Sequence, residues 1–146
     1  MEKSPLLLRN RRLSTGVLLA AASLLGSCHT ADDFNLKGGV LAVFAVQEER
    51  FAVFAVNPAT CEQIIALRDG LSRASIPNGR VRRGQVHYNL PWSWHIDPDD
   101  VAMAEATIEL CDATPSYIEA HLDEWLGTVV RFCPWSARLV SVTDYR

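Results

Sequence analysis

Two runs rich in valine and phenylalanine, VLAVFAV at 40–46 and FAVFAV at 51–56, stand only four residues apart, divided by Gln47-Glu48-Glu49-Arg50. β-Branched and aromatic side chains suit a pleated, half-buried surface, whereas the four polar residues between them belong in water. The pair therefore reads as a β-hairpin with a polar turn. The likeness of the runs reflects like burial, since two copies of one strand do not make a solenoid. The other elements must pack around this hairpin.

Asn57-Pro58 then opens a helix, with Asn as N-cap and Pro at the first helical position. Ile64, Ile65, Leu67 and Leu71 recur at helical spacing, so an amphipathic helix is expected up to Ser72. Pro77-Asn78-Gly79 reads as a stop and turn, and residues 80–86 as a short strand. In Trp92-Ser93-Trp94-His95-Ile96-Asp97 a period of two puts Trp92, Trp94 and Ile96 on one side, expected to be buried, and Ser93, His95 and Asp97 on the other. Asp97-Pro98-Asp99-Asp100 suits either a turn or a capped helical turn, and the turn is the favoured reading. Ala104, Ala106, Ile108 and Leu110 alternate with Glu105, Thr107, Glu109 and Cys111, the pattern of a half-buried strand. A second amphipathic helix follows Thr114-Pro115, carrying Tyr117, Ile118, His121, Leu122, Trp125 and Leu126 and closing at Gly127. Residues 138–142 make a last strand. The fold class read from this order is α+β, a mostly antiparallel sheet with two helices on one face. Its core is a ferredoxin-like split βαβ, extended by the N-terminal strand of the hairpin.

The start of the chain has a different character. Lys3, Arg9, Arg11 and Arg12 face a single acid, Glu2, and an uncharged apolar run follows at 16–25. That run is shorter than the roughly 20 residues needed to cross a bilayer, and its flanks fit a signal peptide. Leu25-Gly26-Ser27-Cys28 resembles the bacterial lipobox, which implies a lipoprotein signal over residues 1–27 and lipid on Cys28. Ordinary secretory cleavage is the rival; it wants small residues three and one before the cut, which His29-Thr30-Ala31 offers poorly. Residues 28–39 read as a polar, Gly-containing tether and 40–146 as one α+β domain. Membrane attachment through an N-terminal lipid is thus expected, outside the cytoplasm. The resemblance to lipoproteins implies the outer membrane in a Gram-negative cell, since His29 rather than Asp follows the cysteine, and the outer face of the cell membrane in a Gram-positive one.

Removing residues 1–27 takes the formal charge from −3 to −6, and an acidic domain argues against nucleic acid as a partner. With Cys28 lipidated, Cys61, Cys111 and Cys133 remain in an oxidising compartment, where two of them can pair. Cys111 ends one expected strand and Cys133 lies just before the last. In an antiparallel arrangement both fall at the same end of the sheet, so a Cys111–Cys133 disulfide is expected.

Ile76-Pro77-Asn78-Gly79, Pro91-Trp92-Ser93-Trp94-His95-Ile96-Asp97-Pro98, Ile108-Glu109-Leu110-Cys111-Asp112 and Cys133-Pro134-Trp135-Ser136 together form a pattern. Over about residues 51–146 the chain resembles the N-terminal domain of a cAMP-inducible prespore protein and its small exported bacterial relatives. That family brings no established activity, and Cys61 is not part of its pattern.

Chemistry is sparsely signalled. His95 and Asp97 on one strand face are weak candidates for a metal, with His87, Asp99 and Asp100 as further donors, but no HExxH or CxxC spacing accompanies them. A hydrogen-bonded His beside a turn Asp is the simpler reading. Cys133 with His95 lacks the context of a thiol nucleophile, and Ser93 and Ser136 lack a GxSxG setting. Arg73, Arg80, Arg82 and Arg83 form a basic cluster that reads as a solvated strand edge. No cofactor is called for. Four tryptophans exceed what so small a core needs, and Trp is favoured at binding hot spots. The reading is a non-enzymatic module that binds a protein or small molecule through Trp92, Trp94, His95, Asp97 and Trp135, with a small metal-assisted hydrolase centred on His95 and Asp97 as the alternative. The tryptophans as mere caps of the core is the competing view. If the lipobox reading is right, Cys28→Ala abolishes labelling by a fatty-acid analogue in cells; an unlabelled native protein found free in the medium contradicts it.

Overall fold

A computed structural model describes residues 36–146. The signal peptide expected at 1–27, the lipidation expected at Cys28 and the expected tether up to residue 35 fall outside the described residues.

The hairpin forms as expected, with β1 (Val40–Val46) antiparallel to β2 (Glu49–Ala55) and Val46 opposite Glu49. The turn is tighter than the charge pattern suggests, because Glu49 and Arg50 already belong to β2 and Gln47 takes the left-handed conformation a two-residue connection uses, at φ 54°. Both faces are covered, which explains runs that are apolar almost throughout. Val40, Ala42, Phe44, Val46, Phe51, Val53 and Ala55 enter the main core. On the opposite face Phe54 meets the rings of Tyr88 and Tyr145 at 6.1 and 6.4 Å.

Asn57 caps α1 (Pro58–Arg68), its side chain accepting from the N–H groups of Ala59 and Thr60. This helix stops a turn earlier than the periodicity suggests, at Asp69, and leaves Leu71 82% exposed. The remaining elements are β3 (Ile76–Arg83), β4 (Trp94–Ile96), β5 (Ala102–Ala104), α2 (Pro115–Ala120), α3 (Leu122–Glu124), β6 (Arg131–Phe132) and β7 (Arg138–Asp144).

The α+β class stands, but the strands are not arranged as a ferredoxin-like split βαβ. They form two sheets, β2-β1-β7 and β4-β3-β5 with β6 also on β3, and every described pair is antiparallel. A split βαβ needs a parallel central pair. Here β7 returns to β1 rather than joining the strands between the helices. The two sheets face each other across one core, in which Phe51 lies 5.0 Å from Phe132 and 6.4 Å from Trp94, and Trp94 meets Phe132 edge-on at 5.5 Å. α1 packs against β7 and β5, and α2 against β2.

Three local expectations give way. Pro77-Asn78-Gly79 is not a turn but lies inside β3, where Gly79 permits close passage of Ile96; an added Cβ would overlap the Ile96 side chain. The alternating segment after β5 is not a strand. It runs without regular structure to a 3-10 turn at Glu109–Cys111, because burying Cys111 against Cys133 turns Ile108 and Leu110 outward. The second helix breaks at His121, at φ −124°, and finishes in a π turn at Trp125–Val129, while Ile118, Leu122 and Trp125 stay buried. Asp97-Pro98-Asp99-Asp100 is the capped alternative, a 3-10 turn with the Asp97 carboxylate accepting from Asp99 N–H.

One polar side chain ties the two sheets. β2 is an edge strand, so some of its backbone groups lack a partner strand. Asn89, 1% exposed, accepts from Ala52 N–H through Oδ1 at 2.7 Å and donates through Nδ2 to Trp94 O at 2.8 Å. A few residues on, the Trp92 indole N–H donates to Arg50 O at 2.8 Å. Asn89→Ala strands a buried donor and a buried acceptor and is expected to cost about 2–4 kcal/mol in denaturant unfolding. A loss below about 1 kcal/mol, the size of one ordinary hydrogen bond, would contradict this role.

Candidate functional site

The sequence pattern at 92–97 predicts a binding surface, yet its aromatic side faces inward. Trp94 is fully buried among Phe51 and Phe132, with an indole N–H that meets no hydrogen-bond partner among the described residues. Trp92 is half-buried, its ring 6.3 Å from that of Trp94 and its N–H committed to β2. The outward alternation of Ser93, His95 and Asp97 is present, but each has work within the fold. Ser93 N–H donates to the Glu119 carboxylate. His95 Nδ1 lies 2.9 Å from Gly84 O; a carbonyl can only accept, so this nitrogen carries a proton and donates.

Asp97 accepts from Arg82 at 2.8 Å and caps the following turn. Partial burial pushes its carboxyl upward, but the bonds from Arg82 and Asp99 N–H, helped by nearby His95, outweigh that and hold its pKa below the ordinary aspartate value. Asp100 accepts from Arg80 N–H and from Arg131, His87 is exposed against the edge of the Tyr88 ring, and Asp99 is exposed. Among the described residues no group of three or more His, Cys, Asp or Glu side chains is placed to hold a metal. In the basic cluster Arg82 pairs with Asp97 and Arg83 with Asp123.

Trp135 is a separate matter. It is 48% exposed and lies beside the cysteine pair, away from the Trp92–Trp94 stack that closes on β2. Cys111 and Cys133 are placed as a disulfide with Cα atoms 5.2 Å apart, and Cys133 N–H donates to Cys111 O at 2.8 Å. Closing a loop of 22 residues should stabilise the fold by about 3 kcal/mol. Cys61 takes no part; it is buried, donates its S–H to Ala55 O, and burial pushes its pKa up.

Beside the cysteine pair the chain at 105–110 stands out from the protein. Ile108 is 68% and Leu110 64% exposed, although both are large aliphatic residues. Two shallow clefts flank this segment and share Ala106 and Thr107 in their walls. One, of about 300 Å³, adds Ile108, Leu110, Val129, Asn78 and Arg131; the other, of about 250 Å³, adds Ile76, Glu105 and Trp135. Large apolar side chains exposed beside clefts are the kind of surface that marks an interaction site. Of the residues expected to bind, only Trp135 belongs to this surface. Ile108, Leu110 and Arg131 escape a reading of the sequence, because the alternation at 104–111 mimics a strand with its apolar side buried.

The family model described as the BP-74 N-terminal domain matches residues 40–146, and the chain belongs to that family. Comparison with curated proteins found no match, and neither did comparison with solved structures.

The two classes of tryptophan are separable by stability. Trp94→Ala should cost about 3–5 kcal/mol in denaturant unfolding, the range for a fully buried aromatic. Trp135→Ala should cost under about 1 kcal/mol, as for an exposed residue. Equal losses would contradict the assignment of Trp135 to the surface.

Proposed function

We propose that this chain is an exported, lipid-tethered binding module whose contact surface is the apolar segment at 106–110 together with Trp135. The observation that carries this reading is the exposure of Ile108, Leu110 and Trp135 around one disulfide. An exposed Leu alone is ordinary, but three large apolar residues beside two connected clefts are not. The staple supports the reading further: a surface already rigid loses less conformational entropy when a partner binds.

Strand pairing supports a geometry for the tethered protein. Residues 28–39 enter at Val40, which pairs with Asp144, whereas Ala45 pairs with Arg138, three residues after Trp135. Along β1 those ends are about 17 Å apart at 3.3 Å per residue. Trp135 therefore enters at the end of the sheet remote from the tether, which favours a partner approaching from outside over the anchoring membrane itself. Catalysis at His95 and Asp97 is the weaker reading, since His95 is bonded to Gly84 O and Asp97 to Arg82.

The test pairs binding with stability. Ile108→Asp with Leu110→Asp should leave the melting temperature within a few degrees of the parent, because both side chains are already in water. The same change should abolish capture of partners from an envelope extract. Unchanged capture, or a large fall in melting temperature, would contradict the reading.

A further inference from the structure

The larger of the two clefts is not purely apolar, and its polar end is specific. Arg131 lines it, held by two bonds on separate nitrogens: Nε donates to Asn78 Oδ1 at 2.9 Å and Nη1 to Asp100 Oδ2 at 2.7 Å. The guanidinium is thereby fixed in orientation, and among the described residues nothing accepts from Nη2. Thr107, in the same wall, has a hydroxyl oxygen shielded from solvent with no hydrogen-bond partner among the described residues. Ala106, Ile108, Leu110 and Val129 supply the apolar remainder. The cleft thus offers an oriented guanidinium and an aliphatic wall within about 300 Å³, space for roughly two residues of an extended chain.

Resting on the reading of this surface as a binding site, we propose that the cleft takes the C-terminal end of a polypeptide whose last residues are apolar, with the terminal carboxylate on Arg131. A planar, oriented guanidinium suits a carboxylate, and a charge-assisted bond is among the stronger polar contacts. The charges nearby disfavour a dianion more than a monoanion. Asp100 already sits on Arg131 and Glu109 stands in the adjoining turn, so a phosphate dianion meets repulsion that a carboxylate meets less. At a chain terminus the carboxylate is bonded to the Cα that carries the last side chain, which places anion and aliphatic group side by side as the cleft does.

The experiment uses the full-length chain and a panel of short synthetic peptides ending in pairs drawn from Val, Ile, Leu and Phe, each made as free acid and as carboxamide. Binding is followed by calorimetry, with decanoate as a further probe. The proposal expects saturable binding of at least one free acid, with its amide weaker by about tenfold or more, equivalent to about 1.4 kcal/mol, and the gap narrowing as salt rises. Arg131→Lys should keep the charge, lose the oriented fork and narrow the same gap, and the acid-to-amide comparison on the unaltered protein stands whether or not that variant folds. Equal binding of acid and amide that is lost in Ile108→Ser with Leu110→Ser would overturn the carboxylate role and leave the binding surface intact. Absence of saturable binding across the panel would overturn the proposal, while capture from extract continues to judge the wider reading separately. Decanoate binding more tightly than every peptide would overturn the choice of a polypeptide as occupant.

Discussion

The two sheets of this fold depend on a buried amide. β2 is the edge of one sheet and β4 belongs to the other, and among the described residues no strand pairing joins them. Asn89 supplies the join, because its side chain alone carries an acceptor for Ala52 N–H and a donor for Trp94 O. Inside a low-dielectric core both bonds are strengthened, and the penalty for leaving either backbone group unpaired is correspondingly large. The bond from Trp92 to Arg50 O closes the same edge one residue pair further along. An edge that would otherwise invite another strand is thus sealed by the chain itself.

That arrangement decides where function can lie. Once Trp94 packs against the touching rings of Phe51 and Phe132, and Trp92 serves the strand edge, the aromatic motif is consumed by the fold. His95, Asp97 and Arg82 are consumed likewise, since β4 must be held to β3 along Arg82 and His95. Among the described residues, the surface around the cysteine pair is one left without such an internal role. There the polypeptide leaves β5, and the disulfide at Cys111 closes a segment whose Ile108 and Leu110 stand in water. Stability and exposure are supplied by different parts of the molecule, which lets the surface be apolar without weakening the core.

The sequence made the hairpin, both helix starts and the cysteine pair legible, for local reasons: Val- and Phe-rich runs about a polar turn, Asn-Pro and Thr-Pro caps, and cysteines at element ends. What it hid was long-range. Nothing in residues 138–142 shows that β7 pairs with β1 rather than with strands nearer in sequence, and that choice divides the sheet in two. Gly79 looks like a turn residue because the approach of Ile96 from another strand leaves no trace in local composition. The alternation at 104–111 is real but misleading, since the disulfide overrides it and reverses which residues face water. Asn89 is inconspicuous for the same reason: an isolated Asn before Leu-Pro looks like loop, and its two partners are 37 and 5 residues away.

The Trp-Ser-Trp-His motif is internal structure, and the disulfide-framed segment is the outward surface. Hydroxyl-radical footprinting of the folded protein, read residue by residue by mass spectrometry, tests both halves of that claim at once. The account predicts rapid modification of Trp135, Ile108 and Leu110, slow modification of Trp92 and the least at Trp94. Trp92 and Trp94 reacting as fast as Trp135, or protection of Ile108 and Leu110 in the isolated chain, would contradict it.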